Sequence, residues 1–272
     1  MATPTDPHAP SAAEASTPRA PTGYDPRAFP PFAVTVDVVV LTVIDDVLHL
    51  ALIRRAEEPY AGWWALPGGF KRPGETLDEA AVRELGEEAG MAAPRLAQFG
   101  AYGDPDRDPR MDVVSVGYYA ALREPVELRP GGDAAAVRWA PLAEVVDGAQ
   151  PLAFDHARIA ADARDRLADD LERSDAVLSM LPEEFTLSMM RRTYEAVWRL
   201  DLPAGAERDG FELDRRNFRR QLNADPGPFV APTGRSTSDL TESSAPGRPA
   251  AFHRATPAWR EASPVRRPRP RG

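Results

Sequence analysis

The chain has no cysteine among its 272 residues, so disulfides, thiolate nucleophiles and thiolate metal sites are all excluded. Lysine is almost missing too: Lys71 is the single one, and arginine carries the rest of the positive charge. No apolar run is long enough to span a bilayer, because the region from Phe32 to Ile53 is cut by Asp37, Asp45 and Asp46. The N-terminal stretch lacks an apolar signal core and an early basic cluster. Cytoplasm is therefore the expected compartment, with no membrane partner. Histidine is scarce, and His8, His49, His156 and His253 are too scattered for metal-ligand spacing. Ordinary structural or exposed roles are expected for them.

Proline is abundant and uneven. Of 29 prolines, 17 fall within residues 1–31 and 226–272. Polar, proline-rich ends cannot bury enough surface to order themselves. They are read as disordered tails, 1–30 at the N-terminus and a basic 257–272 at the C-terminus. The length between them exceeds one typical domain and suffices for a sizeable core. Charge is uneven as well. Residues 1–185 hold 17 basic against 32 acidic side chains (−15), and residues 186–272 hold 16 against 10 (+6), which reproduces the net −9. An acidic body with a basic second part is expected where that part meets an anion such as nucleic acid. An arginine-rich surface without a partner is the alternative.

The densest chemistry lies between Gly69 and Met91, GFKRPGETLDEAAVRELGEEAGM. Thr76 followed by Glu79 reads as a capping box, so a helix should start near Leu77, and Gly90 supplies a left-handed stop. Glu84, Glu87 and Glu88 then stand at i, i+3 and i+4 and project from one face. Like charges at that spacing repel, which calls for a cation. Oxygen-only ligands suit Mg²⁺ or Mn²⁺, whose remaining positions go to waters and substrate phosphates. Val82, Leu85 and Ala89 are expected to form the apolar stripe. Arg83 and Glu75 would pair and orient the acidic cluster from behind. A solvated acidic helix is the bland alternative.

This segment resembles the Nudix box, G-x5-E-x7-R-E-U-x-E-E-x-G-U with U apolar. Gly69, Glu75, Arg83, Glu84, Leu85, Glu87, Glu88, Gly90 and Met91 fill every defined position. The resemblance implies an α/β/α sandwich and metal-dependent cleavage of a nucleoside diphosphate linked to a second moiety. Glu84, Glu87 and Glu88 would be the metal ligands, joined by the Gly69 carbonyl.

Along the body, Phe32–Ile44 predicts a buried strand, Asp45-Asp46 a turn, and Val47–Ile53 its hairpin partner. Val113–Ala121 and Ala135–Trp139 predict further strands. Ile159, Ala163, Leu167 and Leu171 recur at steps of four and predict the closing helix. A first domain over 31–180 follows, with a second over 181–256. In the second, Thr186 caps a helix from Leu187 to about Arg199, with Met190, Tyr194, Val197 and Trp198 on its apolar face. Asp214 caps another from Arg215 to about Leu222. Arg215, Arg216, Asn217, Arg219 and Arg220 surround the anchors Phe218 and Leu222, which suits a recognition helix. Gly247-Arg248-Pro249 could begin the return strand of a wing.

PLAFDH (151–156), LPEEFTL (181–187), LDRRNFRR (213–220) and GRPAAFHR (247–254) are similar to Nudix-related regulators of NAD metabolism, the NrtR type. That family pairs an ADP-ribose-binding Nudix domain with a C-terminal winged helix-turn-helix. The likeness covers roughly residues 32–255. It implies ADP-ribose or a related nucleotide as ligand, operator DNA as partner and Arg248 as a further DNA contact; because the acidic first domain opposes DNA, a homodimer presenting two basic modules is expected. Two departures stand out: the long connection between Trp198 and Leu213, and the polar run Ser236–Ser244 in the wing. For the ligand, Arg54 or Arg55 could meet a phosphate, Trp64 could stack on a base, and Arg110 lies in a loop like the family's RDPRG, with Met111 in place of the glycine. Two functions are left open: a Mg²⁺-dependent pyrophosphohydrolase coupled to DNA binding, and an ADP-ribose-sensing repressor with little or no turnover.

Overall fold

The computed structural model describes residues 21–92, 95–202, 204–224, 228–237, 249–260 and 263–268. The chain divides into two units, Met1–Pro31 and Phe32–Gly272. In the first, a 3-10 turn spans Pro26–Ala28, and the rings of Tyr24 and Phe29 lie 6.0 Å apart.

The second unit begins with β1 (Ala33–Ile44) and β2 (Val47–Arg55), joined through Asp45 and Asp46, both at positive φ as a tight hairpin turn requires. Then follow β3 (Trp64–Ala65), β4 (Gly68–Phe70), α1 (Leu77–Ala89), β5 (Ala97–Tyr102), β6 (Val113–Leu122), β7 (Ala134–Pro141), α2 (Leu142–Val146) and α3 (His156–Arg173). The sheet runs β3-β2-β1-β6-β5, with β4 also on β1 and β7 also on β2. β1 and β6 are parallel over ten paired positions, from Ala33↔Val113 to Thr42↔Leu122.

β1 is buried on both faces, which explains its nearly continuous apolar run. Alternation divides it between two helices. Val36, Val38 and Val40 pack under Ala81, Leu85 and Ala89 of α1. Val39 and Leu41 pack with Ile159, Ala163 and Leu167 of α3. An α/β/α sandwich results. Val82, expected on the buried stripe of α1, is 45% exposed. It lies a third of a turn from Ala81, and the buried face instead carries Glu84 and Glu88 beside the apolar residues. β5, for which the sequence pattern predicts nothing, pairs with the outer side of β6.

After α4 (Ala176–Ser179) come β8 (Phe185–Thr186), α5 (Leu187–Trp198), α6 (Ala206–Asp209), α7 (Arg215–Leu222), β9 (Val230–Ser236) and β10 (Ala251–Ala255). The small sheet β8-β10-β9 forms the wing beside α5 and α7. Thr186 caps α5 through the Met189 amide at 3.1 Å. The long connection after Trp198 folds into a 3-10 turn and α6. Met190, Tyr194, Val197, Trp198, Phe218 and Leu222 join the same core as the α3 side of the sandwich. One apolar core thus links both modules.

The described part of the expected disordered tail, residues 257–260 and 263–268, is docked on the domain instead. Trp259 and Val265 are buried, and the Trp259 indole N–H donates to the Phe229 carbonyl at 2.6 Å. Arg267 donates to Asp201 at 3.2 Å and to Asp169 of α3 at 2.5 Å. Composition averages over a segment, whereas two apolar anchors and one well-partnered arginine suffice to dock it. Arg248 and most of the polar run 236–244 lie outside the described residues.

Candidate functional site

Helix α1 is held at both ends as its sequence demands. Thr76 Oγ1 accepts from the Glu79 amide at 3.2 Å, and Glu79 accepts from the Thr76 amide at 2.7 Å. Gly90 stops the helix at φ 64°. Between these ends Glu84 and Glu88 are buried, while Glu87 stays exposed. Glu88 accepts from the Gly68 amide at 2.8 Å. Gly69 packs so closely on Glu84 that a Cβ there would sit 2.6 Å from Oε1, and the carboxylate would have to shift to admit a side chain.

Arg83 gathers the cluster. Its Nε and Nη2 donate to Glu75 at 3.0 and 2.8 Å, and Nη1 reaches Glu84 at 2.6 Å and Glu87 at 3.2 Å. Nη2 also donates to the Phe70 carbonyl at 3.0 Å. These bonds, with the Arg72 amide, hold the Glu75 carboxyl down at about 2. Burial acts the other way on the cleft floor, lifting Glu88 to about 8 and pushing Glu84 upward against the pull of Arg83. Among the described residues, no three His, Asp or Glu side chains are arranged to hold a metal ion. Glu87 pairs with Arg72 at 3.0 Å and with Arg83 at 3.2 Å. The donor chemistry nevertheless fits a hard cation: three carboxylates on one helix, two driven by burial toward a neutral form that a divalent ion would oppose.

The acidic cluster forms part of a cleft of about 380 Å³, whose other walls include Arg55, Phe70, Arg110, Asp133, Phe154 and His156. Its base is a buried polar network. His156 Nδ1 accepts from the Leu66 amide at 3.0 Å, which leaves its Nε2 to donate toward Asp37 at 3.3 Å. Burial pushes the imidazole pKa down, consistent with that neutral tautomer. Asp37 also accepts from Ser115 Oγ. Arg107 forks onto Asp155 at 2.6 and 3.0 Å and lies 3.6 Å from Asp37. The 104–110 loop is thereby tied to β1 and to the start of α3.

Of the ligand-contacting residues expected from sequence, Arg55 and Arg110 line the cleft and Arg54 and Trp64 do not. Arg54 and Trp64 are directly opposed in the β2–β3 ladder, so they share one face, and Ile53 and Arg55 take the other. Arg54 Nε donates to the Gly62 carbonyl at 2.9 Å, and Trp64 lies 4.5 Å beneath the Arg138 guanidinium. Arg55 takes the cleft position. Sequence reasoning passed over Asp37, Phe70, Arg107, Phe154 and His156. A charged residue inside an apolar strand marked Asp37, and PLAFDH already contained Phe154 and His156.

The second constellation is α7. Asp214 caps it through the Asn217 amide at 2.7 Å. Phe218 and Leu222 are buried, and Arg215, Arg216, Asn217, Arg219 and Arg220 are exposed. Arg220 donates to Asn217 Oδ1 at 2.6 Å. The entry to α7 is fixed from beneath, since buried Glu195 accepts from the Leu213 amide at 2.6 Å. Arg235 and Arg254 of the two wing strands both reach Glu184 at 2.7 Å.

The chain matches the NUDIX domain model over residues 33–163 and the NrtR DNA-binding winged helix domain model over 177–255. It is 29% identical over 201 residues to the ADPR responsive transcriptional repressor NtrR of Acinetobacter baylyi, covering 73% of this chain and 75% of that protein. It is 38% identical over 125 residues to the ADP-ribose pyrophosphatase of Methanocaldococcus jannaschii, covering 46% and 71%. Among solved structures, Shewanella oneidensis NrtR complexed with a 27mer DNA matches with a TM-score of 0.64 at 28% identity, covering 84% and 98%.

Proposed function

This chain belongs to the Nudix family and carries a winged helix domain of the NrtR type, and from that premise we propose that it binds an ADP-ribose-like nucleoside diphosphate, cleaves it, and binds DNA under that ligand's control. The complete acidic set on α1, beside Arg55 and Arg110 of the cleft, is the observation that carries the reading. Glu84, Glu87 and Glu88, with the Gly69 carbonyl, would hold Mg²⁺ or Mn²⁺, which when bound neutralises the diphosphate and lowers the pKa of an attacking water. Glu87 must leave Arg72 and Arg83 to join the set. Arg83, anchored on Glu75, orients Glu84. Arg55 and Arg110 bring positive charge into the cleft, where a diphosphate is attracted.

On the other module, Arg215, Arg216, Arg219 and Arg220 suit phosphates or guanine edges, and Asn217 suits adenine. The Nudix domain is acidic, so attraction to DNA must come from α7 and the wing. A homodimer would present two such modules to one operator. A second reading, sensing with little turnover, is favoured by the pairing of Glu87 with Arg72 and Arg83. One paired assay tests both: ADP-ribose turnover with Mg²⁺, and binding of promoter DNA with and without ADP-ribose. Turnover with ligand-sensitive DNA binding supports the first reading, and ligand-sensitive DNA binding with ADP-ribose left uncleaved supports the second. No specific DNA binding at physiological salt would leave only a hydrolase.

A further inference from the structure

Phe154 of the cleft and Tyr60, whose ring packs against it, hold a backbone conformation that L side chains rarely adopt, at φ 52° and φ 65°. Glycine, asparagine and aspartate enter this region at least cost, and bulky residues are genuine outliers there. Such conformations persist where surrounding contacts over-determine them, and they cluster at ligand-binding sites. Those contacts are present. The two rings meet edge to face with centroids 4.7 Å apart, and buried Ile53, Ala65 and Ala153 belong to the apolar cluster on which they pack.

Two guanidinium groups lie over the Phe154 ring, Arg55 at 5.1 Å and Arg110 at 5.9 Å from its centroid. Arg110 also stands 4.9 Å from the centroid of Phe70, a cleft residue left 40% exposed. One planar cation is therefore shared by two aromatic rings in the same cleft. Trp64, the stacking residue that sequence pointed to, lies on the opposite face of its strand.

We propose that Phe154 and Phe70 are the nucleobase platform of this cleft, and that the Arg110 guanidinium, joined by Arg55 over Phe154, covers their faces until a base stacks there. The inference rests on reading the cleft as a nucleoside diphosphate site. A guanidinium and a nucleobase are both flat and both stack on aromatic faces, so they compete for the same rings. Arg110 displaced from the rings remains available to the phosphates. Exposed Phe70 gains apolar cover. Every base has a π-face, so the platform selects for the presence of a base over the bare diphosphate.

The test is calorimetric titration of the full chain with ADP-ribose and, separately, with inorganic pyrophosphate, using Ca²⁺ in place of Mg²⁺ to suppress turnover. Phe154→Leu, Phe70→Leu and Phe154→Trp are compared with the wild-type protein. Leucine keeps an apolar side chain at the same φ but removes the π-face. Each leucine variant should lose about tenfold or more in ADP-ribose affinity, with pyrophosphate affinity within about twofold of wild type. Phe154→Trp should retain ADP-ribose binding. Where Phe154→Leu lowers the thermal transition, Phe70→Leu, exposed in the free protein, decides the matter. Leucine variants that bind ADP-ribose normally, or lose both ligands in equal measure, overturn the platform while the cleft reading stands. A wild-type protein that binds neither ligand overturns the cleft reading itself.

Discussion

Arg83 grips both carboxylate oxygens of Glu75, Nε to Oε2 at 3.0 Å and Nη2 to Oε1 at 2.8 Å. The fork ties the loop before α1 to the middle of the helix and leaves Nη1 for Glu84 and Glu87. Arg83→Ala should weaken divalent-metal affinity by about 10–100-fold, as loss of an orienting partner does. A Mn²⁺ titration that gives wild-type affinity would remove that role.

The same pair gives stability a pH signature. Glu75 falls from 4.5 to about 2 in the folded protein, through the Arg83 hydrogen bonds first and the Arg72 amide second. A carboxyl with a depressed pKa stabilises the fold above its unfolded value and loses that contribution as pH falls through its folded value. Wild type should therefore exceed Glu75→Gln in urea stability at pH 7, with the gap closing between about pH 4.5 and pH 2. A gap that stays constant across that window would contradict the assignment.

Glu87 is the exposed member of the acidic set, so its replacement spares the core. Glu87→Gln should lower kcat for ADP-ribose by at least about 100-fold with the thermal transition unchanged, because charge is lost where negative charge develops. Undiminished turnover, or turnover that survives full chelation, would exclude the metal mechanism.

For α7, each arginine that meets a phosphate releases counterions. Arg216→Ala or Arg219→Ala should each flatten the slope of log K against log salt by about 0.9. Asn217→Ala should instead lower discrimination between operator and random DNA by about 1–3 kcal/mol. Asn217 also accepts from Arg220, so Arg220→Ala is the necessary companion variant. By linkage, operator should change ADP-ribose affinity by the same factor that ADP-ribose changes operator affinity. Unequal factors would mean that the two measurements do not report one coupled equilibrium.

The docking of Trp259 makes its own prediction. Trp259 is 2% exposed and gives its indole N–H to the Phe229 carbonyl. Trp259→Ala should destabilise the protein by about 3–5 kcal/mol, the range for truncating a buried large aromatic. A urea midpoint within error of wild type would mean that the segment does not pack in solution.

What the sequence determined by itself is whatever depends on neighbours along the chain. The capping of α1 by Thr76, its stop at Gly90, the Asp45-Asp46 turn and the capped, arginine-faced α7 are set by local hydrogen bonds and helical period. Glu84, Glu87 and Glu88 were legible for the same reason, since fixed spacing on one helix needs no knowledge of the rest. The tertiary structure decided what depends on strand register and long-range burial. Arg55 rather than Arg54 faces the cleft because the ladder opposes Arg54 to Trp64, and a one-residue change of register exchanges the faces. Asp37, Arg107 and His156 come from distant segments and meet only when β1, a loop and α3 close together. The docking of Trp259 and Val265 likewise depends on the core they share with α3 and α5, because a proline-rich segment gains order only from a surface that receives it.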